Sequence, residues 1–369
     1  MCPGCSPKKG NVMTKRNTMK FSAAAAAGAL ALMSLGQATA QAAPSSTTGL
    51  YGASDPTYDG VFRQSLAILG LTSVGVKPSA PAIDWLLNQQ CADGSYQAYR
   101  TDLAAPCAPS DPATSTGPDT NSTAAAISAL MAINEAGAAP AATMSKVTNA
   151  AARAGLWLGK QQLKDGGWPY FPGGASDANS TGLALAAVMT SAPDFKVPAY
   201  VAANKFLATL VAPCGSADGG GLSYQKGAKP DAAGSSQGLL GLTAAIPVTG
   251  PKKLAGSPAC SGTTGRKVAS YLSSRILAKG ALDSSFGTGP DYTSTASTVM
   301  AFVAAGYGKP AVAKATSTLA ANARAFAEKD GAAVPAALGL LLMVSEATGK
   351  NPRSFGGINL VTALQGSQR

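Results

Sequence analysis

The chain has 369 residues and a formal net charge of +11, with 46% hydrophobic residues, 13% charged residues and no histidine. Five of the 29 Lys and Arg, and none of the 18 Asp and Glu, precede residue 41, so the remainder carries a net charge of +6. Its basic residues are scattered rather than clustered with aromatic ones, which argues against nucleic acid as a partner.

The amino-terminal residues are typical of a bacterial export signal. A basic start is followed by an apolar run at 21–35 and by small residues at 38–40 that suit signal-peptidase cleavage. The apolar run is too short to span a membrane comfortably. We therefore predict a signal peptide with its upstream segment at 1–43, a flexible segment at 44–57, a single domain at 58–369, and a secreted protein.

Four cysteines remain once the signal segment is set aside. They are Cys91, Cys107, Cys214 and Cys260. An even number in an exported chain indicates two disulfides, and four cysteines allow three pairings. Sequential pairing, Cys91–Cys107 and Cys214–Cys260, is the most local and is favoured. A structural metal site is the alternative, weakened because the chain has no histidine and no closely spaced cysteine pair.

One sequence element occurs twice in nearly the same form. The segment from Trp85 to Tyr96 is matched by the segment from Trp157 to Trp168, and both contain a Gln-Gln pair and an Asp-Gly turn before the final aromatic residue. We interpret stretches ending at Tyr224 and Phe286 as degenerate copies. Repeats of this size indicate stacked supersecondary units, which favours one domain over two.

The repeated units read as pairs of α-helices. Residues 123–133 are Ala-rich and apolar on all sides, which predicts a buried inner helix. Residues 143–162 have one polar and one apolar face, which predicts an outer helix with one side exposed to solvent. No alternating pattern is long enough to predict a strand. Six pairs suggest a closed double ring, with an open solenoid as the alternative. The twelve predicted helices lie near 60–74, 78–91, 121–137, 143–163, 178–191, 196–212, 233–246, 263–279, 292–306, 310–328, 332–347 and 355–365.

An aspartate heads several of the predicted inner helices. Asp119-Thr-Asn121-Ser-Thr and Asp177-Ala-Asn179-Ser-Thr are nearly identical, and looser copies begin at Asp231 and Asp291. Asp is a preferred residue for accepting a hydrogen bond from a free N–H at a helix start. Each aspartate is therefore first of all a helix cap. If the ring closes, all of them also gather at one rim, where they could contact a ligand or perform acid–base work.

The repeated element resembles a known motif. Gln162-Leu-Lys-Asp-Gly166-Gly-Trp168 matches the Gln-x-x-x-Gly-x-Trp repeat of squalene and oxidosqualene cyclases, and the segment ending at Tyr96 differs only in its aromatic residue. The sequence thus resembles the prenyltransferase and squalene-cyclase repeat superfamily. That superfamily includes terpene cyclases, protein prenyltransferase β-subunits, complement-like thioester domains and the cobalamin carriers intrinsic factor and transcobalamin. The resemblance implies an all-α (α/α)6 toroid with six inner and six outer helices.

The aspartate motif differs from the catalytic motifs of these relatives. In squalene-type cyclases the proton donor is the middle aspartate of Asp-x-Asp-Asp-Thr-Ala, and Asn121 occupies its place, although an amide cannot supply a strong acid. In prenyltransferases an Asp-x-Cys pair and a histidine bind zinc, but Asn121, Asn179 and Thr293 occupy the cysteine position. The comparison predicts no catalytic residue, no metal site and no cofactor.

The cobalamin carriers are the relatives that need no catalytic group, so the resemblance implies a ligand-binding protein. We expect a small-molecule ligand, a corrinoid or another hydrophobic or amphipathic compound, at the rim of the inner helices. Those carriers close a β domain over the ligand, whereas this sequence ends soon after the last predicted helix. A lid protein or membrane uptake system is therefore an expected partner. The candidate rim residues are Asp119, Asn121, Asp177, Asn179, Asp231, Asp291, Tyr292, Trp168, Tyr170, Phe171 and Tyr224.

Two further functions remain open from the sequence. The first is an enzyme of terpenoid or prenyl type that uses an unfamiliar acid such as Asp119 or Asp177. The second is an extracellular scaffold that binds another protein. The aromatic residues of the repeated turns, Tyr96, Trp168, Tyr224 and Phe286, either line a funnel for the ligand or simply pack the turns, and the sequence favours packing.

Overall fold

The computed structural model describes residues 49–191, 196–248 and 250–369. The predicted signal peptide and the start of the segment 44–57 lie outside these described residues. None of the described helices is long and apolar enough to cross a membrane. The helices are α1 Gly60–Ser73, α2 Ala80–Asn88, α3 Thr120–Glu135, α4 Ala141–Lys160, α5 Ala178–Ser191, α6 Lys196–Thr209, α7 Ala232–Leu242, α8 Thr264–Lys279, α9 Tyr292–Ala305, α10 Lys309–Ala321, α11 Ala323–Ala327, α12 Pro335–Thr348 and α13 Leu360–Gln365. The short strands are β1 Trp168–Pro169, β2 Ser176–Asp177, β3 Leu282–Asp283, β4 Pro290–Asp291, β5 Glu328–Lys329 and β6 Ala332–Ala333.

The helices form two concentric rings. The inner helices α1, α3, α5, α7, α9 and α12 contact one another in that order, and α12 returns to contact α1. The outer helices α2, α4, α6, α8, α10 and α13 each pack against the inner helix that precedes them in the chain. The contact between α12 and α1 closes the ring, so the predicted (α/α)6 toroid is confirmed and the open solenoid is wrong.

Small residues let the inner helices approach closely. A Cβ atom built on Gly182 of α5 would lie 2.1 Å from the carbonyl oxygen of Gln237 on α7, and one on Gly241 would lie 2.3 Å from the carbonyl oxygen of Gly182. At the α1–α12 contact, a Cβ on Gly339 would lie 2.2 Å from the carbonyl oxygen of Leu66. These distances are shorter than van der Waals contact, so a larger side chain would force the helices apart.

The two ends of the described chain meet and complete the ring. Tyr51 pairs with Gln368 in an antiparallel bridge, and the Arg369 N–H donates to the Leu50 carbonyl oxygen at 3.0 Å. Leu50 and Tyr51 are almost fully buried. Residues 49–52 thus belong to the fold, although the sequence analysis placed them in a flexible segment, because the pairing gives their backbone groups partners that the sequence pattern does not reveal.

Each repeated turn contains a glycine that lies against the next outer helix. Gly94, Gly166 and Gly220 have φ values of 98°, 95° and 88°, a region that L side chains rarely adopt. A Cβ on Gly166 would lie 2.3 Å from the carbonyl oxygen of Ala202 on α6. Two residues further on, the backbone N–H of the turn donates to a hydroxyl of the inner helix, as in the 2.9 Å bond from Trp168 to Thr181.

This hydrogen bond corrects the register of the degenerate repeats. The Leu222 N–H donates the same bond to the Ser235 hydroxyl at 2.9 Å, and the Leu282 N–H donates it to the Thr295 hydroxyl at 3.0 Å. The positions equivalent to Trp168 are therefore Leu222 and Leu282, not the predicted Tyr224 and Phe286. The alignment on aromatic residues was wrong because the turn requires the positive-φ glycine and not the aromatic ring.

Three secondary-structure predictions also differ from the structure. The helix predicted at 310–328 is divided at Asn322, whose side-chain amide donates to the Thr318 carbonyl oxygen at 2.8 Å. The helix predicted at 355–365 begins only at Leu360, since Gly356 and Gly357 have positive φ. Three two-residue antiparallel ladders occur where no strand was predicted, because the chain turns back sharply before α5, α9 and α12.

The two disulfides have the predicted pairing. Cys91 bonds to Cys107 across 16 residues, and Cys214 bonds to Cys260 across 46 residues. The first closes a loop between α2 and α3, and the second joins the loop after α6 to the segment before α8. Both therefore fasten irregular segments to the outer ring.

Candidate ligand site at the rim of the inner helices

Four aspartates cap inner helices, as the sequence predicted. In each case a carboxylate oxygen accepts a hydrogen bond from the backbone N–H three residues later, which satisfies one of the free donors at the helix start. The distances are 2.7 Å for Asp119 to Ser122, 2.7 Å for Asp177 to Ser180, 2.8 Å for Asp231 to Gly234 and 2.8 Å for Asp291 to Ser294. The capping interpretation is confirmed for all four.

The loop that follows each outer helix covers the start of the preceding inner helix. The Tyr170 carbonyl oxygen accepts from the Thr120 N–H at the start of α3, and the Tyr224 carbonyl oxygen accepts from the Ala178 N–H at the start of α5, both at 2.9 Å. Because α3 and α5 are neighbours in the ring, two tyrosines and two aspartates come together here. We call this set, Asp119, Tyr170, Asp177 and Tyr224, the rim cluster.

Burial governs the charge of the two carboxyl groups. Asp119 and Asp177 are each 1% exposed, and burial raises the pKa of each to about 7. Hydrogen-bond donors around each carboxyl, led by the N–H of Ser122 or Ser180, oppose this rise without cancelling it. Near neutral pH each carboxyl therefore exists in both protonated and ionised forms, and can donate as well as accept a hydrogen bond.

The two tyrosines are electrostatically linked to these carboxyls. Burial raises the pKa of Tyr170, and the neighbouring Asp119, Tyr224 and Asp177 raise it further. Burial likewise raises the pKa of Tyr224, with Asp177 beside it as the next cause. Both phenols therefore stay protonated at neutral pH. Both side chains are only half-buried, so they form the part of the rim cluster that solvent reaches.

A buried polar atom next to the rim cluster has no hydrogen-bond partner within the described part of the chain. Asn121 Nδ2 is the clear case, whereas the Asp177 carboxyl lies within reach of the Ser180 and Tyr224 hydroxyls. Buried polar groups are nearly always hydrogen-bonded, and an unpaired one costs about 1–3 kcal/mol. The Asn121 amide nitrogen is therefore a donor still available beside the two buried carboxyls.

A residue that the sequence analysis missed completes this sector of the rim. The Asn179 side-chain amide donates to the Gln237 side-chain oxygen, which joins α5 to α7. Gln237 is 4% exposed. In the sequence, Gln237 could have been noticed as a long polar side chain inside the predicted apolar helix 233–246. Its partner, Asn179, is known only from the packing of α5 against α7.

The predicted aromatic residues fall into two groups. Trp168 and Phe171 are buried, and the Trp168 indole N–H donates to the Leu158 carbonyl oxygen at 2.8 Å, so Trp168 packs the turn as the sequence favoured. Phe171 lies against Tyr170, with ring centroids 4.3 Å apart. Tyr292 packs against Phe326 at 5.5 Å, on a different sector from the rim cluster.

The other two capping aspartates each accept a second hydrogen bond, and Asp231 also lies close to Tyr224. Asp231 also accepts from the Ser285 hydroxyl at 3.2 Å, and Asp291 also accepts from the Ser294 hydroxyl at 2.6 Å. Burial raises the pKa of both carboxyls. In the described part of the chain, no three Asp, Glu or Cys side chains gather closely enough to hold a metal ion.

The pKa values of the rim carboxyls predict how stability depends on pH. The folded protein holds protons on Asp119 and Asp177 up to a pH of about 7, whereas the unfolded chain releases them near pH 4. The folded state thus binds more protons between these values, and linkage requires the free energy of unfolding to fall as the pH rises. We expect a loss of about 4 kcal/mol for each carboxyl between pH 4 and pH 8.

Asp119→Asn tests this dependence because an amide oxygen can still accept from the Ser122 N–H but cannot ionise. Urea unfolding measured across the pH range should show a shallower loss of stability in this variant than in the wild type. The matched control is Asp84→Asn, on the exposed face of α2, which should keep the wild-type slope. An equally steep slope in Asp119→Asn would show that folding does not raise the pKa of this carboxyl.

Solved structures, but no family model or curated sequence, are similar to this protein. No family model matches the sequence, and no curated protein matches it at a significant level. Among solved structures, a sugar epimerase from a ruminal bacterium has a TM-score of 0.52 at 13% identity, covering 83% of this chain and 94% of its own. A type II terpene cyclase from Scytonema has a TM-score of 0.46 at 19% identity, covering 82% and 80%. A glycosidase has a TM-score of 0.47 at 13% identity, covering 82% and 91%.

The similarity to the sugar epimerase agrees with the ring of helices described above. The contacts around the inner ring show that the chain has the α/α toroid fold. At these identities the similarity extends to the fold and not to the activity of any one of these proteins.

Proposed function

We propose that the protein is an exported, non-catalytic toroid that binds a small-molecule ligand at the rim cluster. The observation that supports this most is the unpaired, buried Asn121 Nδ2 beside the buried carboxyls of Asp119 and Asp177, beneath two half-buried tyrosines. A site built to hydrogen-bond a ligand leaves such an atom unpaired when the ligand is absent. The two disulfides are compatible with an extracellular protein.

The chemistry of the rim cluster favours an uncharged ligand that both donates and accepts hydrogen bonds. Carboxyls with a pKa of about 7 serve in either role at neutral pH, and the Asn121 amide adds a donor. The rings of Tyr170 and Tyr224 provide flat apolar surface beside these groups. Amides and hydroxyls on a large, partly apolar molecule would meet this set of partners.

A corrinoid is the specific ligand we propose, since its periphery carries amide groups on a broad apolar ring. The resemblance of the aspartate motif to that of the cobalamin carriers supports the same choice. The carboxyls lie beneath the tyrosines, so the ligand would first contact Tyr170 and Tyr224. A lid protein or a membrane uptake system would then enclose the exposed side of the ligand.

The binding test uses the mature protein and cobalamin at micromolar concentrations, followed by equilibrium dialysis and the visible absorption spectrum. We expect binding, and a loss of about tenfold in affinity for Tyr224→Phe, which removes one hydroxyl at a cost of about 1.4 kcal/mol. Tyr292→Phe is the matched control, because this rim tyrosine packs against Phe326 on another sector. Absence of binding, or an equal loss in both variants, would overturn the proposed corrinoid site.

A second candidate function is acid–base catalysis on a terpenoid or prenyl substrate, and the pKa values of about 7 favour it. Such a carboxyl suits proton transfer near neutral pH better than the protonation of an alkene, which needs a stronger acid. Incubation with squalene or isoprenoid diphosphates followed by product analysis distinguishes this candidate. Product formation that is lost in both Asp119→Asn and Asp177→Asn would support the enzyme over the binder.

A further inference from the structure

A groove lies on the outer ring, away from the rim cluster, between α10 and the segment that leads into α13. Its volume is about 640 Å³, within the range of about 300–1,000 Å³ that is usual for small-molecule sites. Val312 and Thr316 of α10 line one side, Phe355 lines the other, and Val303 of α9 and Ala347 of α12 form the floor. The groove is thus bordered by one outer helix and reaches down to two inner helices.

The groove exists because the last outer helix is short. α13 has 6 residues, whereas α10 has 13 and α8 has 16. The chain between α12 and α13 instead follows an irregular path through Pro352 and the positive-φ residues Gly356 and Gly357. An outer helix of ordinary length would cover the exposed side of α10 at this point, and here that side stays open.

The groove is long and its walls are mostly apolar. The lining residues of α10 run from Lys309 to Ala320, which at about 1.5 Å per residue gives a length of roughly 16 Å. Leu254 and Pro251 border it from the segment before α8, and Phe355 lies against its far end with Gly356 and Ala320. A groove of this length with apolar residues along its walls suits a single extended hydrocarbon chain.

All the charged residues that line the groove are positive and lie at one end. They are Lys252, Lys309 and Lys350. Lys309 begins α10, Lys350 follows α12, and the Lys252 ammonium donates to the Ala304 carbonyl oxygen near the end of α9 at 3.2 Å. The side chains of Lys309 and Lys350 make no hydrogen bond or ion pair with other described residues, and both lysines are exposed.

No acid among the described residues lines the groove to neutralise these lysines. Glu346, one turn before the end of α12, lies instead toward Gly250, where a Cβ on that glycine would be 3.3 Å from its carboxylate. The end of the groove near Lys309 is therefore positive, and the end near Phe355 is apolar. This polarity matches an anionic head joined to an apolar tail.

We propose that this groove binds the anion of a medium-chain fatty acid. The carboxylate lies between the ammonium groups of Lys309 and Lys350, and the hydrocarbon chain extends along α10 toward Phe355. This ligand would cover the apolar surface that no outer helix covers here. Its carboxylate would pair with the lysines at the end of the groove. The groove is separate from the rim cluster, so this inference does not depend on the function proposed for that site.

The test is a calorimetric titration of the protein with dodecanoate and with dodecyltrimethylammonium, which has the same tail and the opposite charge. We expect dodecanoate to bind and the cationic amphiphile to bind at least about tenfold more weakly. Ala313→Trp should abolish binding by filling the groove from the exposed face of α10. Lys309→Glu combined with Lys350→Glu should weaken dodecanoate binding by at least the same factor.

Lys314→Glu provides the matched control, because this exposed lysine is also on α10 but donates to the Leu277 carbonyl oxygen outside the groove. It should bind dodecanoate like the wild type, and circular dichroism should show that every variant is folded. Equal binding of the two amphiphiles, or full binding by Ala313→Trp, would overturn the proposal. Binding of an acidic peptide in place of dodecanoate would overturn it as well.

Discussion

Replacing Gly182 by alanine should lower the free energy of unfolding by about 3 kcal/mol, the upper range for overpacking a well-packed core. The new Cβ would lie 2.1 Å from the carbonyl oxygen of Gln237, so α5 and α7 would have to separate. An obstructing backbone atom cannot rotate away as a flexible side chain can. Separation would also disturb the Asn179–Gln237 hydrogen bond and the neighbouring rim cluster.

The sign of this effect is what makes the experiment informative. Alanine is normally preferred to glycine within a helix by about 0.5–1 kcal/mol. Gly265 of α8 is the matched control, because a Cβ there would meet Leu239 at 3.7 Å, an ordinary contact. We expect Gly265→Ala to leave stability unchanged or to raise it by up to about 1 kcal/mol in urea unfolding. If Gly182→Ala behaved in the same way, the close approach of α5 and α7 would be wrong.

Removing the disulfide between Cys214 and Cys260 should destabilise the protein by about 4 kcal/mol, from the entropy that the bond removes from the unfolded chain. The bond joins residues 46 apart, whereas Cys91 and Cys107 are 16 apart. The shorter loop predicts a smaller loss, about 3 kcal/mol. The long bond also holds the segment before α8 against the loop that contains Gly220, whose added Cβ would lie 3.2 Å from the Cys260 sulfur.

Paired Cys→Ser variants, each replacing both cysteines of one bond, measure these losses in guanidinium unfolding. The two variants should rank in the order of loop length, with the Cys214–Cys260 pair more destabilised. Both should keep the helical circular dichroism signal at low denaturant, because neither bond lies within the inner ring. The opposite ranking would mean that native-state contacts, and not chain entropy, dominate the contribution of the bonds.

The architecture could be predicted because the same helix pattern, turn and capping aspartate recur along the sequence. An Ala-rich run that is apolar on every side, as at 123–133, must be buried, and its alternation with half-polar helices specifies an inner and an outer ring. The capping aspartates and the local disulfide pairing follow from short-range chemistry. The pairing of residues 49–52 with the carboxyl-terminal residues has no such signal in the sequence.

The details of the rim could not be predicted because they depend on how neighbouring helices are rotated. The sequence identified Asn121 and Asn179 together, yet only Asn179 meets Gln237, while the Asn121 amide nitrogen has no partner among the described residues. The degenerate turns were misaligned because Leu222 and Leu282 occupy the place of an aromatic residue. The outer groove arises from a helix that starts at Leu360, five residues after the predicted start.

The two carboxyls of the rim cluster differ from ordinary helix caps in their pKa. An ionised cap on an exposed helix start has a pKa near or below 4, whereas burial places the pKa of Asp119 and Asp177 at about 7. Carbon-13 NMR of selectively labelled aspartate follows each side-chain carboxyl as the pH is changed, and Asp119→Asn and Asp177→Asn assign the two signals. We predict titration midpoints near 7 for both, and midpoints below 5 would contradict a cluster poised to bind a neutral ligand.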